Sequence, residues 1–154
     1  MTRIETVAIV QRNPRILLGM KKKRFGKGKY NGFGGGVKKG EKETEAVIRE
    51  CEEEVNIEII NPEKMGEILF KFQSQEQNHL VYFFRARRYL GTPKESEEMI
   101  PQWFNINKIP YNQMWEDDKY WLPKLLNGQK FKGDFLFNAN NKIVKFNLED
   151  ITNL

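Results

Sequence analysis

Residues 41–57 carry the most restrictive pattern in the chain, because one segment combines an apolar helical stripe with a cluster of glutamates. The apolar residues fall within about 100° of one another on a helical wheel, as on a core-facing helix. They are Val47, Ile48, Cys51 and Val55. The pattern predicts a helix over about 44–55, with Thr44 as its N-cap.

Three glutamates share one flank of this predicted helix. Glu50, Glu53 and Glu54 follow the spacing i, i+3, i+4, at which like charges repel by a few tenths of a kcal/mol. Three carboxylates on one face suit an oxygen-loving cation such as Mg²⁺, or more than one. The alternative, on the residues alone, is a solvated acidic face.

The net charge of +5 conceals two segments of opposite sign. Residues 1–40 contain 11 Lys or Arg and one acid, Glu5, whereas residues 41–67 contain three Lys or Arg and 10 Glu. Such asymmetry calls for a local explanation. A basic arm that meets phosphates beside an acidic metal site is one, with Lys21 as the predicted phosphate contact. Lys22, Lys23 and Arg24 are also expected to attract the phosphates, and the alternative for any one of these basic residues, Lys21 included, is a solvated side chain.

The remaining pattern predicts one α/β domain, residues 1–154, with a mixed sheet. Strands are expected at 6–10, 15–21, 67–72, 79–87 and 103–106, with a closing hairpin of 131–137 and 143–148. Residues 116–126 suggest a helix whose second half Pro123 makes doubtful. Seven of the 12 glycines lie between Gly26 and Gly40, which suggests loop. One cysteine excludes an internal disulfide and fits the reducing cytoplasm, and no apolar run approaches the ~20 residues that span a membrane.

The spacing of the residues in and before the acidic helix resembles the Nudix box, G-x5-E-x7-R-E-U-x-E-E-x-G-U, where U is a bulky aliphatic residue. The matching residues are Gly35, Glu41, Arg49, Glu50, Glu53, Glu54 and Ile57. Cys51 replaces the usual aliphatic residue, and Asn56 replaces the final glycine in a turn that asparagine can also form. The resemblance implies a Nudix fold, an α/β/α sandwich, and hydrolysis of nucleoside diphosphate derivatives with Mg²⁺ or, as a substitute, Mn²⁺.

The resemblance also implies roles for the box residues. Arg49 and Glu41 would form a structural pair that joins the loop of Gly35 to the helix. Glu54 would be indispensable for metal binding, and either Glu53 or Glu98 would accept the proton of the attacking water. The implied metal ligands are Gly34, Glu50, Glu53, Glu54 and Glu98.

Residues outside the box resemble the mammalian MutT-like branch of the family, which hydrolyses oxidised purine nucleoside triphosphates. The similarity covers 15–35, 91–104, 114–121 and the closing strand, within about residues 6–146. It implies a base pocket in which Trp115 and Phe72 sandwich the ring. An Asn offers both donor and acceptor to a purine, and two adjacent carboxyls can share a proton. The implied pocket residues are Thr6, Phe25, Asn31, Phe72, Trp115, Asp117 and Asp118.

Simpler roles remain open for several of these residues. Asp117 and Asp118 also suit a helix N-terminus, and Phe72 also suits the core. His79, the only histidine, is expected at a strand edge, which leaves no His-based metal site or triad. The resembling branch has Lys where Gly36 stands and Trp where Tyr30 stands.

The predicted function is conversion of an oxidised purine nucleoside triphosphate, such as 8-oxo-dGTP or 2-hydroxy-dATP, to the monophosphate and pyrophosphate. The protein is expected to act as a monomer, without a membrane or a stable nucleic-acid partner. One alternative is a Nudix hydrolase of a methylated purine nucleotide, ADP-ribose or a dinucleoside polyphosphate. The other is a non-catalytic basic module that binds nucleic acid.

Overall fold

The structure is a computed structural model that describes all 154 residues. Its two α-helices are α1 (Glu43–Val55) and α2 (Asp118–Leu126), and one 3₁₀ turn spans Tyr111–Gln113. The strands are β1 (Thr2–Arg12), β2 (Arg15–Lys21), β3 (Tyr30–Asn31), β4 (Phe33–Gly36), β5 (Glu58–Ile59), β6 (Glu63–Phe72), β7 (Asn78–Ala86), β8 (Tyr89–Leu90), β9 (Met99–Asn105), β10 (Lys130–Phe137) and β11 (Ile143–Ile151). Neither helix has the length and apolar character needed to cross a membrane.

Nine strands form one mixed sheet in the order β11-β10-β6-β7-β1-β2-β3, with β4 also paired to β1 and β9 to β2. The β1–β7 and β6–β10 pairs are parallel, and the other pairs of this sheet are antiparallel. Strands β5 and β8 form a separate antiparallel pair. The predicted α/β class with a mixed sheet is confirmed.

The two helices cover opposite faces of the sheet. The apolar stripe of α1 packs with Ala8 and Val10 of β1, whereas α2 packs with Ile9 of the same strand. Because successive side chains of a strand point to opposite faces, a central strand between two helices must be apolar on both. This requirement explains the unbroken sequence Ala8–Val10, and it confirms the α/β/α layering.

Strand β1 changes partners along its length. Val10–Arg12 pair with β2, but Glu5–Ala8 pair with β4. In β4, Gly34 lies so close to the carbonyl of Thr6 that a side chain at this position would clash. The glycines of β4 therefore permit close strand pairing. The prediction that this whole segment is loop was wrong for β3 and β4.

Two local predictions about the helices also fail. The N-cap of α1 is Lys42, not Thr44, because the side chain of Glu45 accepts a hydrogen bond from the Lys42 N–H at 2.9 Å. Helix α2 starts at Asp118 and continues through Pro123 to Leu126, so the proline does not end it. The left-handed turn expected at Asn56 is confirmed, with φ of 64°.

Candidate active site

One cavity of about 1090 Å³ collects almost every residue predicted to act in a site. Its lining includes the glutamates of α1, the aromatic residues and the Asp117–Asp118 pair. Glu41 is the one predicted residue that does not line it. The residues brought together are Thr6, Lys21, Phe25, Asn31, Gly34, Gly35, Arg49, Glu50, Glu53, Glu54, Phe72, Glu98, Trp115, Asp117 and Asp118.

Glu54 is the most deeply buried of the helix glutamates. It is only 4% exposed, and its carboxylate accepts a hydrogen bond from the N–H of Gly34 at 2.8 Å. Burial, reinforced by the charge of Glu50, raises the pKa of Glu54 to about 8 even though the Gly34 hydrogen bond opposes the shift. A buried carboxyl without an ion-pair partner in the protein fits a bound cation.

Arg49 holds the neighbouring acids in place. Its guanidinium donates to both oxygens of Glu41, at 2.7 and 3.0 Å, and to the carbonyl of Gly36 at 3.1 Å. These hydrogen bonds hold the pKa of Glu41 at about 2. Arg49 therefore ties α1 both to the preceding loop and to β4.

The same guanidinium also holds two candidate metal ligands. It lies 3.0 Å from Glu50 and 3.3 Å from Glu53. In this conformation no three acidic, cysteine or histidine side chains lie close enough together to hold one ion. Gly35 has no side chain where a Cβ would come within 2.7 Å of Glu50, so Glu50 approaches β4 closely. Carboxylate oxygens are the donors that a hard cation prefers, and Glu50 and Glu53 would release Arg49 when they bind such a cation.

The basic residues before β3 are largely neutralised by a second acidic segment, the loop before β9. Lys22 lies 2.7 Å from Glu95, and Arg24 lies 3.2 Å from Glu98. Lys23 forms a longer contact of 3.8 Å with Glu97. These three residues were expected to attract phosphate, but in the structure each is paired with a glutamate. Lys21, which lines the cavity and lowers the pKa of Glu54 through its charge, forms no such pair.

Three aromatic rings line the cavity opposite the acidic helix. The Phe25 ring centroid lies 5.0 Å from that of Trp115 and 5.9 Å from that of Phe72. The planes of Trp115 and Phe72 are 79° apart, so the two rings are not parallel in this structure, and their sandwiching of a bound base stays a prediction. Phe25 is 57% exposed and lies against both rings.

Asp117 and Asp118 are buried at the start of α2, where they are 4% and 7% exposed. Asp117 occupies the N-cap position, but its side chain forms no cap and instead accepts a hydrogen bond from Trp121 Nε1 at 2.7 Å. Burial raises the pKa of both carboxyls, and the charge of Asp117 raises the pKa of Asp118 further. The pair therefore holds a proton more readily than free carboxyls do, and offers a donor beside acceptors.

Asp118→Asn is expected to be more stable than the unaltered protein, by a margin that grows as the pH rises. An acid whose pKa is raised by folding lowers stability above its unfolded pKa of about 3.8, and the Asn variant avoids this cost. Thermal unfolding at pH 4 and pH 8 checks it. We expect similar Tm values at pH 4 and a higher Tm for the variant at pH 8, by about 2–4 °C per kcal/mol. Asp134→Asn, at an exposed position, is the matched control, and an equal gain in both variants would contradict the argument.

Sequence reasoning missed one wall of the cavity. Arg3, Glu5, Gln75 and His79 line it, although His79 was expected at a strand edge. Strand β7 is interior, between β6 and β1. The available signal was the alternation of Arg3, Glu5 and Val7 along β1, which places these three on one face of the strand.

The sequence model of the NUDIX domain matches residues 2–125, and the chain belongs to this family. It is 43% identical to the oxidized purine nucleoside triphosphate hydrolase of Danio rerio, covering 99% of this chain and 98% of that protein. The Mus musculus protein of the same name is 41% identical, with 97% and 96% covered. The crystal structure of a mutator MutT protein from Bacillus halodurans superposes with a TM-score of 0.86 at 25% identity, over 96% of this chain and 97% of that one.

Proposed function

We propose that this protein is a Mg²⁺-dependent pyrophosphohydrolase of oxidised purine nucleoside triphosphates, which yields the monophosphate and pyrophosphate. The observation that carries the proposal is the meeting of two chemistries in one cavity, the acidic face of α1 and the proton-sharing Asp117–Asp118 pair. The relatives in fish and mouse, similar along nearly their whole length, bear the name of that activity.

The acidic end of the cavity would hold Mg²⁺, with Mn²⁺ as a substitute. The proposed ligands are Gly34, Glu50, Glu53, Glu54 and Glu98. When bound, the ion would neutralise and orient the phosphates. Lys21 would contact a phosphate directly, because it is the cation near Glu54 that no glutamate pairs with.

Two glutamates remain candidates for accepting the proton of the attacking water. Glu53 is more exposed than Glu98, and its contact with Arg49 is 3.3 Å long. Glu98 is held by Arg24 across the cavity mouth. Comparing the pH profiles of Glu53→Gln and Glu98→Gln would distinguish them, since loss of the base removes the acidic limb of the profile.

At the other end, Asn31 and the two aspartates would contact the edge of the base. The Asn31 amide donates to the carbonyl of Lys29 at 3.0 Å, which leaves its side-chain oxygen free to accept from a ligand. The neighbouring aromatic residues, Phe25, Phe72 and Trp115, would cover the faces of the base. Thr6 also lines the cavity. Oxidised purines differ from normal ones in donors and acceptors along these edges, so a pair that can both donate and accept suits several of them.

The protein is proposed to act as a monomer of one domain on a free nucleotide, in the cytoplasm. Lys22, Lys23 and Arg24 are paired with glutamates, which lowers the charge that these three residues offer to a nucleic-acid backbone. The free thiol of Cys51 is buried, and burial raises its pKa. Cys51 is therefore a packing residue.

A substrate panel tests the proposal. Loss of substrate and formation of the monophosphate product would be followed by chromatography with 8-oxo-dGTP, 2-hydroxy-dATP, a methylated purine triphosphate, dGTP, dATP, ADP-ribose and a dinucleoside polyphosphate, with Mg²⁺, with Mn²⁺ and with neither. Release of pyrophosphate would be measured in addition for the triphosphates. We expect the oxidised purines to give the highest kcat/KM and activity to need the metal. If ADP-ribose or a dinucleoside polyphosphate were much the best substrate, the base-reading part of the proposal would fail. Salt-dependent DNA binding without hydrolysis would instead support a nucleic-acid module.

A further inference from the structure

One wall of the cavity carries a row of polar side chains that has no part in the function proposed above. We call it the histidine wall, and it consists of Arg3, Glu5, Gln75 and His79. Arg3 and Glu5 lie on β1 and His79 on β7, and the parallel register places Arg3 opposite His79. All four side chains line the cavity.

Hydrogen bonds fix the orientation of the histidine ring. His79 Nδ1 lies 2.8 Å from Glu5 Oε1, and Arg3 Nε lies 3.2 Å from the other oxygen of Glu5. Because a carboxylate can only accept, Nδ1 is the donor of the first hydrogen bond. The opposite nitrogen, Nε2, faces the side-chain oxygen of Gln75 at 3.4 Å, which is a long contact that a ligand can replace. Nε2 is therefore available to hydrogen-bond a ligand in the cavity.

The histidine wall spans the middle of the cavity. At one end the His79 ring lies 5.6 Å from the ring of Phe72, in the aromatic part. At the other end Arg3 lies over Gly36, within 2.8 Å of the point where a Cβ would stand, and Gly36 is adjacent to the glycine that contacts Glu50. The wall thus runs from the aromatic end to the acidic end. In a nucleotide the sugar is the part that joins base to phosphate.

We propose that His79, held by Glu5, is a specificity-determining residue that hydrogen-bonds a sugar hydroxyl of the bound nucleotide through Nε2. This inference rests on the proposed function, which places the base at Asp118 and the phosphates at Glu54. Glu5 is a positioning residue, since it acts by fixing the orientation of the His79 ring. Arg3 in turn holds the carboxylate of Glu5.

Kinetics with altered sugars test the contact. The same oxidised purine triphosphate would be supplied as the ribo, 2′-deoxy and 2′,3′-dideoxy form. In the unaltered protein, loss of the contacted hydroxyl should lower kcat/KM about fivefold, as expected for one neutral hydrogen bond. In His79→Leu this difference between sugars should disappear while the ranking of bases stays the same. Equal sugar ratios in both proteins would overturn the proposal.

Further variants separate a sugar contact from a structural ion pair. His79→Gln, which places an amide near the position of Nε2, should recover part of the sugar discrimination, and Glu5→Leu should lose it as His79→Leu does. Glu67→Gln removes one charge from the neighbouring strand β6, outside the cavity, and should leave the ratios unchanged. If Glu5→Leu lowered only the Tm and left the sugar ratios intact, the pair would be merely structural and the proposal would fail.

The single histidine of the chain also gives a direct spectroscopic test. Proton NMR of the one imidazole would be followed while 8-oxo-dGMP or inorganic pyrophosphate is added. We expect the nucleotide to shift these signals and pyrophosphate alone to leave them in place. If oxidised purines were not substrates, the proposed function would fail separately, and the titration would be repeated with the best substrate of the panel. Absence of a shift with any bound nucleotide would overturn the role of His79.

Discussion

Glu54→Gln is expected to lower turnover about 10³-fold, which corresponds to about 4 kcal/mol of lost transition-state stabilisation. The variant keeps a side chain of the same shape and an acceptor for the N–H of Gly34, but it cannot supply the anionic carboxylate that a bound cation would need. The protein should fold normally, because a neutral amide relieves the burial that raises the pKa of Glu54. Turnover and Tm, measured together, separate a lost site from a lost fold.

Glu52→Gln is the matched control for this variant. Glu52 belongs to the same helix but is exposed and outside the cavity, so the same change of charge should leave turnover within about twofold. Mn²⁺ binding, followed by electron paramagnetic resonance, gives a second readout and should weaken at least about tenfold in Glu54→Gln only. Near-normal turnover of Glu54→Gln would remove Glu54 from the metal site.

Asp117→Asn is expected to change the ranking of bases by about 10- to 100-fold, the range for a hydrogen bond to a charged or proton-sharing group. The amide still accepts from Trp121 Nε1, but its NH₂ replaces the carboxylate oxygen that is hydrogen-bonded to Asp118. A purine that donates at this edge should lose affinity, and one that accepts should gain it. The panel of kcat/KM values for 8-oxo-dGTP, 2-hydroxy-dATP, dGTP and dATP measures the change.

The metal dependence of Asp117→Asn serves as its internal control. Asp117 is the N-cap residue of α2, which lies on the opposite face of the sheet from α1, so the Mg²⁺ concentration for half-maximal activity should stay within about twofold of normal. An unchanged base ranking would show that Asp117 supports the fold of α2 and does not read the base.

Sequence reasoning worked best where the information is local. The glutamates of α1 lie within five residues of one another, so helical geometry alone places them on one flank. Asn56 ends the helix in the left-handed turn that its residue type favours. The mixed α/β class followed from strands on both sides of a central helix.

What sequence reasoning missed depends on contacts between distant segments. Glu5 and His79 are 74 residues apart, and only the parallel pairing of β1 with β7 brings them together. Arg24 and Glu98 are separated by the same number of residues, so the neutralised basic loop was equally hidden. Strand β4 was missed for another reason, since glycine has low strand propensity and pairs there only because β1 lies so close.

The part of the cavity that β4 forms also limits which positions can change substrate preference. Gly34 presents only main chain to the cavity, and a side chain at this position would collide with the backbone of Thr6. New substrate preferences must therefore arise from the surrounding walls, on β1, β7, α2 and the loop that carries Phe25. Proteins with this arrangement could therefore keep the same catalytic centre while substitutions in the surrounding elements change the nucleotide that they hydrolyse.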